Sequence, residues 1–567
     1  MQKGITDAIQ GVLTALGLPE LAFTVESGGL TSPSKGGNGD YASNVAFILA
    51  KKTGKTPSEL ADALVIELNK NKGEHIEHIE VAGGGFINFF LKPDVFHCAL
   101  AEAANNPDYG KSKAYAGKKV IVEYTDPNPF KLFHIGHLMS NTIGEAISRL
   151  IECGGAEVKR ANYQGDVGLH VAKAIWGLLN VKLADSSLST VGSMTMEMLG
   201  KAYVAGATAY ESDEQAKKEI QEINKKVYER SDPEINKLYD AGRKISLDYF
   251  EGIYTLLGTH FDYYFFESET GEFGKKIVHE HVGGVFEESD GAIIYRGEKK
   301  GLHTRVFLNK EGLPTYEAKE LGLAKIKYER YPYDLSVVVT GNEISEYFKV
   351  LVAAMGEIFP ELAAKQKHIP HGMLRLPSGK MSSRTGDVLT VEWLIDKVRE
   401  KIRLLAAAAE EKKNIEESLD AVSIAALKYS ILKQGVGKDI IFDIDKSISF
   451  TGDSGPYLQY THARAASVLA LTRPPQWTGQ TSREVPGAIE RLIFHFPEEV
   501  DRTVRELAPQ RLVSYANELA GAFNAYYASN RIIGSEMEAY RLTLTTATRA
   551  ILARTLTLLG MSAPDRM

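Results

Sequence analysis

Apolar and polar positions divide this chain into three blocks. In the middle block, 118–124 (KKVIVEY) and 335–340 (LSVVVT) read as strands, the second an uninterrupted apolar run suited to a buried parallel sheet. Residues 292–295 read as a further strand. The segment 138–151 sets Ile143, Ile147, Leu150 and Ile151 at i, i+4, i+7 and i+8, which predicts an amphipathic helix ended by Gly154 and Gly155. The first block, 1 to about 110, alternates helical patterns with a loop at 28–40 and a strand at 86–91 (FINFFL). The last block, about 401–567, is helical almost throughout, broken by a loop at 472–487.

Composition narrows the class. A chain of 567 residues, 44% hydrophobic and 25% charged, is an ordinary globular protein of several domains. The two cysteines, Cys98 and Cys153, are far apart, and no Cys/His cluster has zinc spacing. Neither disulfides nor zinc nor any protein-held metal is expected, as in a reducing cytoplasm. The first residues (MQKGITDAIQGVL) are polar and lack the apolar core of a signal peptide. No membrane association is expected, since no apolar run reaches about 18 residues. A net charge of −7 argues against indiscriminate nucleic-acid binding, while local basic patches could still hold a folded polyanion.

The chemistry concentrates in His134-Ile135-Gly136-His137, between the strand 118–124 and the helix that follows. Strand, tight turn and helix open a nucleotide-binding βαβ unit, whose helix N-terminus offers free N–H groups to phosphates. His134 and His137 lie on one turn and can face one ligand, and Gly136 lets a nucleotide approach the backbone. Two histidines at a helix start can equally cap and pack. About 240 residues on, 376–387 (LPSGKMSSRTGD) reads as a glycine-punctuated basic loop before a helix near Val391.

The two segments resemble the two ATP signatures of class I aminoacyl-tRNA synthetases, which activate a carboxylate with ATP. The stretch 123–134 (EYTDPNPFKLFH) resembles the arginyl-tRNA synthetase version, in which a Glu, an Asn and a Lys precede the His-x-Gly-His turn. The resemblance makes His134, Gly136, His137, Lys380, Met381 and Ser382 the ATP-binding set, with His134, His137, Lys380 and Lys131 catalytic. Ser383 stands where the commonest pattern has a second lysine, and Lys131 is expected to share the phosphate charge with Lys380.

A guanidinium is held best by carboxylates. The resemblance assigns Glu123, Asn128, Tyr316, Glu320 and Glu343 to arginine. Glu320 replaces the family's Asp, and Glu343 stands where relatives often carry a glutamine. The family's tRNA-contacting regions are matched by Phe86 and Asn88 in the first block and by Tyr460, Tyr526, Tyr527 and Met567 in the last. From Thr451 to the end there are twelve arginines and no lysine. Guanidinium planes suit nucleic acid, although eleven acidic residues there also fit a salt-bridged surface.

The implied architecture is a multidomain α/β protein. It has a small α+β domain over 1–110, binding the tRNA elbow. A Rossmann-type parallel-sheet catalytic core follows over 111–400, with a helical insertion at about 175–300. An all-α anticodon-binding bundle covers 401–567. The implied activity is arginine–tRNA ligation: arginine and ATP with Mg2+ give arginyl-adenylate, and the 3′-terminal adenosine of tRNA(Arg) takes the arginyl group. A cytoplasmic monomer is expected, with adenylate formation dependent on tRNA. Two alternatives stay open: a class I synthetase for another amino acid, and a non-catalytic tRNA-binding paralogue.

Overall fold

The computed structural model describes residues 1–27, 39–180, 194–377, 389–408, 412–472, 477 and 485–567. Its organising element is a five-stranded parallel sheet of β1 (Lys119–Tyr124), β2 (Glu157–Gln164), β3 (Tyr263–Phe266), β4 (Leu335–Gly341) and β5 (Gln366–His371). Their order is β5-β4-β1-β2-β3. The strand order reverses between β1 and β4, and such a switch point opens a crevice beyond the strands' carboxyl ends. Val120, Ile121 and Val122 on β1 and Val337 and Val339 on β4 are wholly buried, so the apolar runs read as central strands form the middle of the sheet.

Helix α1 (Ile135–Cys153) follows β1 and crosses the sheet. It packs so closely that a Cβ on Gly144 would fall 2.2 Å from the Tyr124 ring. The expectation of an amphipathic helix needs correction. Besides its apolar stripe, α1 buries Ser140, Asn141, Thr142, Glu145 and Ser148. One hydrophobic core runs from β1 through α1 into the C-terminal helices, joining Val122 and Leu138 to Leu512 and Leu544. With the bundle on its outer face, α1 exposes almost no surface. Its polar groups find partners instead: Glu145 accepts from Tyr124 (2.6 Å) and Arg149 (2.7 Å) and pairs with Arg160 (3.1 Å).

Between β2 and β3 the described residues form four helices, Leu169–Asn180, Met196–Ser212, Glu214–Glu229 and α2 (Pro233–Leu257). After β3 come α3 (Glu267–Glu280), an antiparallel sheet holding Ala292–Tyr295, and α4 (Tyr316–Arg330). The first block is an antiparallel sheet with Phe86–Leu91 as an inner strand, covered by helices Gln2–Ala15, Val45–Thr53 and Pro57–Lys70. It docks on helix Ala488–Glu506 through Tyr41, whose hydroxyl donates to Glu498 (2.7 Å), and through the Asp40–Arg491 ion pair. In the last block, α5 (Gly455–Ala470) starts at Ser454, whose hydroxyl accepts from the Tyr457 N–H (3.1 Å).

Candidate active site

A cavity of about 530 Å³ opens where β1 and β4 end. It is lined by Glu123, Asn128, His134, Gly136, His137, Tyr316, Glu320 and Glu343, eight of the expected residues drawn from distant parts of the chain.

The loop from β1 to α1 is strained. Thr125, Asp126 and Phe130 hold left-handed backbone conformations (φ 80°, 45° and 68°) that cost non-glycine residues free energy. Distant groups fix it: the Thr125 N–H donates to Ser140 (2.9 Å), Asp126 accepts from the Tyr163 N–H (2.8 Å), and the Phe130 N–H donates to Ser246 on α2 (2.9 Å).

At the start of α1 the two histidines cap each other's backbone. His134 Nδ1 accepts from the Gly136 N–H (3.1 Å), and His137 Nδ1 accepts from the His134 N–H (3.3 Å). The rings stack with centroids 3.6 Å apart. A Cβ on Gly136 would sit 2.9 Å from the His134 ring, so this stack requires glycine. Burial, reinforced by Lys131, lowers the His134 pKa to about 4. Burial and then His134 push His137 down as well. Both imidazoles are therefore neutral at pH 7, and with Nδ1 accepting, each carries its proton on Nε2 as a donor. Capping occupies Nδ1 of each ring and leaves Nε2 as a donor, so the two alternatives in the sequence do not exclude each other.

The other end of the cavity is acidic. Glu123, 1% exposed, pairs with Lys327 of α4 (2.7 Å), itself 1% exposed. Glu267, at the head of α3, pairs with Lys319 of α4 (2.6 Å). Glu320 lies on α4 between those lysines, and no described group pairs with it. Burial, then Glu123, raises its pKa well above the usual carboxylate range. Burial and Glu123 raise Asp126 in the same way. Asn128 and Glu267 converge on Gly165, where a Cβ would meet Asn128 Oδ1 at 2.3 Å. Asp166, fully buried, accepts from Ser268 (2.7 Å), Tyr239 (3.1 Å) and Arg243 (2.9 Å), tying β2 to α2 and α3. Tyr316 is 64% exposed at the rim, and the Tyr347 hydroxyl donates to its carbonyl (3.4 Å).

Lys131 lies in a second cavity of about 880 Å³ that meets the first at Tyr316. Its ammonium is 4.9 Å from the Tyr203 ring centroid, and burial followed by Lys173 lowers its pKa to about 8. Lys380, Met381 and Ser382, with Ser383, lie outside the described residues. The chain just beyond them is bonded to the histidine turn: the Ile135 N–H donates to Leu389 (3.3 Å), and the Val391 N–H to Phe133 (3.1 Å).

The expected tRNA contacts separate. Phe86 is 44% exposed and packs on Phe47, whereas Asn88 is wholly buried. Asn88 sits mid-strand between Ala42 and Glu80 on flanking strands and offers no surface to a partner. Tyr460, Tyr527 and Met567 line one cavity of about 560 Å³, while Tyr526 packs against the core. Between the two lining tyrosines lies Arg464, its guanidinium 4.7 and 5.2 Å from their ring centroids. The sequence singled out none of Asp126, Glu267, Lys319, Lys327 and Arg464. Only a spacing hinted at Lys327, seven residues after Glu320 on the same helical face. Among the described residues no three His, Cys, Asp or Glu side chains group to hold a metal, and no helix is long and apolar enough to cross a membrane.

Known proteins match this chain end to end. Residues 1–91 match the arginyl tRNA synthetase N-terminal domain, 100–444 the class I (R) tRNA synthetase catalytic domain, and 458–567 the DALR anticodon-binding domain. The arginine–tRNA ligase of Streptococcus mutans is 31% identical over 555 residues, spanning 95% of each chain. That of Limosilactobacillus fermentum is 29% identical over 591 residues, spanning all of both. In fold, the arginyl-tRNA synthetase of Thermus thermophilus superposes over all of both chains with a TM-score of 0.78 at 24% identity. Since the catalytic-domain match alone spans more than half of the residues, the chain belongs to the arginyl branch of the class I tRNA synthetases.

Proposed function

We propose that the cavity of this arginine–tRNA ligase holds ATP at the histidine end and arginine at the carboxylate end, and that tRNA(Arg) docks along the helical bundle. The observation that carries the reading is the cavity's polarity, with two neutral imidazole donors at one end and, at the other, the Glu320 carboxyl, which has no partner among the described residues. The substrate carboxylate attacks the α-phosphorus of ATP, the bond to the β-phosphate breaks, and pyrophosphate leaves with its magnesium. His134 and His137 donate from Nε2 to the charge that builds on the phosphate oxygens, with no proton to lose first. Glu123, Asn128, Glu320 and Glu343 hold the amino acid, and Tyr316 closes over it. A ribose hydroxyl of the terminal adenosine then attacks the adenylate carbonyl and releases AMP.

Lys131 and Lys380 are the proposed phosphate cations, Met381 and Ser382 further ATP contacts, and Phe86, Tyr460, Tyr527 and Met567 the proposed tRNA contacts. Domain limits of 1–110, 111–400 and 401–567, a monomeric state and a cytoplasmic site of action belong to the same proposal. A panel of twenty amino acids in ATP–pyrophosphate exchange, with and without tRNA, tests it. Exchange is expected with arginine alone and only when tRNA is present. Exchange with a neutral amino acid, or none with any while tRNA still binds, would overturn the reading.

A further inference from the structure

Helix α4 places Lys319, Glu320 and Lys327 at or behind the acidic end of the cavity. Lys319 and Lys327 are buried and each takes a glutamate from another element, Glu267 and Glu123. Glu320, between them on the same helix, lines the cavity without a described partner. Lys327 itself does not line the cavity. It lies behind Glu123 and binds Oε2 at 2.7 Å, while among the described residues no hydrogen bond reaches Oε1.

A carboxylate at the end of a central strand can rotate about its side-chain bonds, and the neighbouring carboxyls of Glu320 and Asp126 offer it no opposite charge. An ammonium fixed at one oxygen stops that rotation and leaves the other oxygen toward the cavity. It also supplies a countercharge to the Glu123 carboxylate, which shares its wall with the carboxyls of Glu320 and Asp126. Burial, the largest single influence, opposes the charge on Lys327, but Glu123, Tyr333 and Glu320 together outweigh it and lift its pKa above the ordinary lysine value.

We propose that Lys327 is a positioning residue for substrate selection: it clamps one oxygen of Glu123 so that the other, together with Glu320, forms a two-carboxylate seat for a guanidinium. The inference rests on the arginine reading above and adds a residue that never touches substrate. A neutral side chain at 327 frees Glu123 to swing toward solvent or take a proton. The seat then loses its preference for a cation while the histidine end of the cavity is unchanged.

The test is Lys327→Met in the full-length protein, assayed by aminoacylation with saturating tRNA. The arginine KM is expected to rise by about tenfold to a hundredfold, as for loss of a charged hydrogen bond, with the ATP KM within about twofold. Citrulline, which carries a neutral urea in place of the guanidinium, supplies a second readout. The ratio of its inhibition constant to the arginine KM is expected to fall by about tenfold. A folded variant with unchanged arginine KM, or one whose arginine and ATP KM rise together, overturns the proposal. Should the single variant not fold, Glu123→Gln/Lys327→Met removes both buried charges and decides the matter. An arginine KM equal to that of Glu123→Gln alone upholds the clamp, since Lys327 then acts only through Glu123, and an arginine KM raised further defeats it. Failure of the unmodified protein to charge tRNA with arginine would instead defeat the functional reading.

Discussion

The cavity at the sheet edge and the Arg464 surface of the bundle gather cations, anions and rings by opposite means. Around the cavity, buried carboxylates are answered by cations, Glu123 by Lys327, Glu267 by Lys319 and Asp166 by Arg243, while Glu320 has no partner among the described residues. On the bundle, Arg464 lies against two tyrosines that are each 39% exposed, with a hydrogen bond to the Tyr460 hydroxyl (2.9 Å). Bond-making chemistry gains most from dipoles and charges fixed before the substrate arrives, because none of them must reorganise in the transition state. A docking surface needs only stacking faces and a delocalised charge, which tolerate exposure. Substitutions should therefore divide cleanly between catalysis and docking.

The largest effect is expected at His134. Asparagine there keeps a cap acceptor in place of Nδ1 and removes the Nε2 donor. His134→Asn should melt like the parent protein while arginine-dependent pyrophosphate exchange falls by about 10²–10³-fold; a variant that exchanges at the parental rate would leave the imidazoles as caps alone. Next comes Glu320→Gln, for which the arginine KM should rise about tenfold to a hundredfold, the value of a charged hydrogen bond. Constant arginine KM in that variant would move the guanidinium seat elsewhere.

On the docking side, Arg464→Ala should weaken tRNA binding by about tenfold, near the lower end of what one stacking contact contributes. At saturating tRNA its arginine and ATP constants should match the parent, and a defect in either would join the two regions that the comparison separates. The smallest effect concerns pH. Burial and Lys173 favour neutral Lys131, so its charge is present below about pH 8 and lost as pH rises through that value. Activation should decline a few-fold between about pH 7 and 9, and Lys131→Arg, which does not titrate there, should flatten the profile. An identical decline in both proteins would assign the titration to another group.

Local patterns in the chain marked the strands, the helix after His134 and the turn proposed to hold the nucleotide. The run 335–340 became β4 with one residue added, 86–91 matched its strand, and the helix after His134 began three residues before the predicted start. These features depend on side chains a few residues apart, and periodicity carries them directly. The same local logic failed for α1. Its polar positions read as a solvent face, yet the bundle covers them and their partners lie far off in sequence, as Thr125 does for Asn141 and Tyr124 for Glu145.

Asn88 shows the same limit from the other side, since a residue two positions from an exposed Phe86 is buried by strands that sequence cannot align. Lys319, Lys327 and Arg464 looked like ordinary charges on helical faces. What gives each of them meaning is a neighbour supplied by another element: Glu267 from α3, Glu123 from β1, and Tyr527 from the helix Pro509–Ser529. The sequence by itself determined which groups could do the chemistry, because reactivity belongs to residue type and to short spacing. Which of those groups are charged, paired or reachable was decided only by the tertiary structure, because burial and countercharge arise from segments that meet only when the chain has folded.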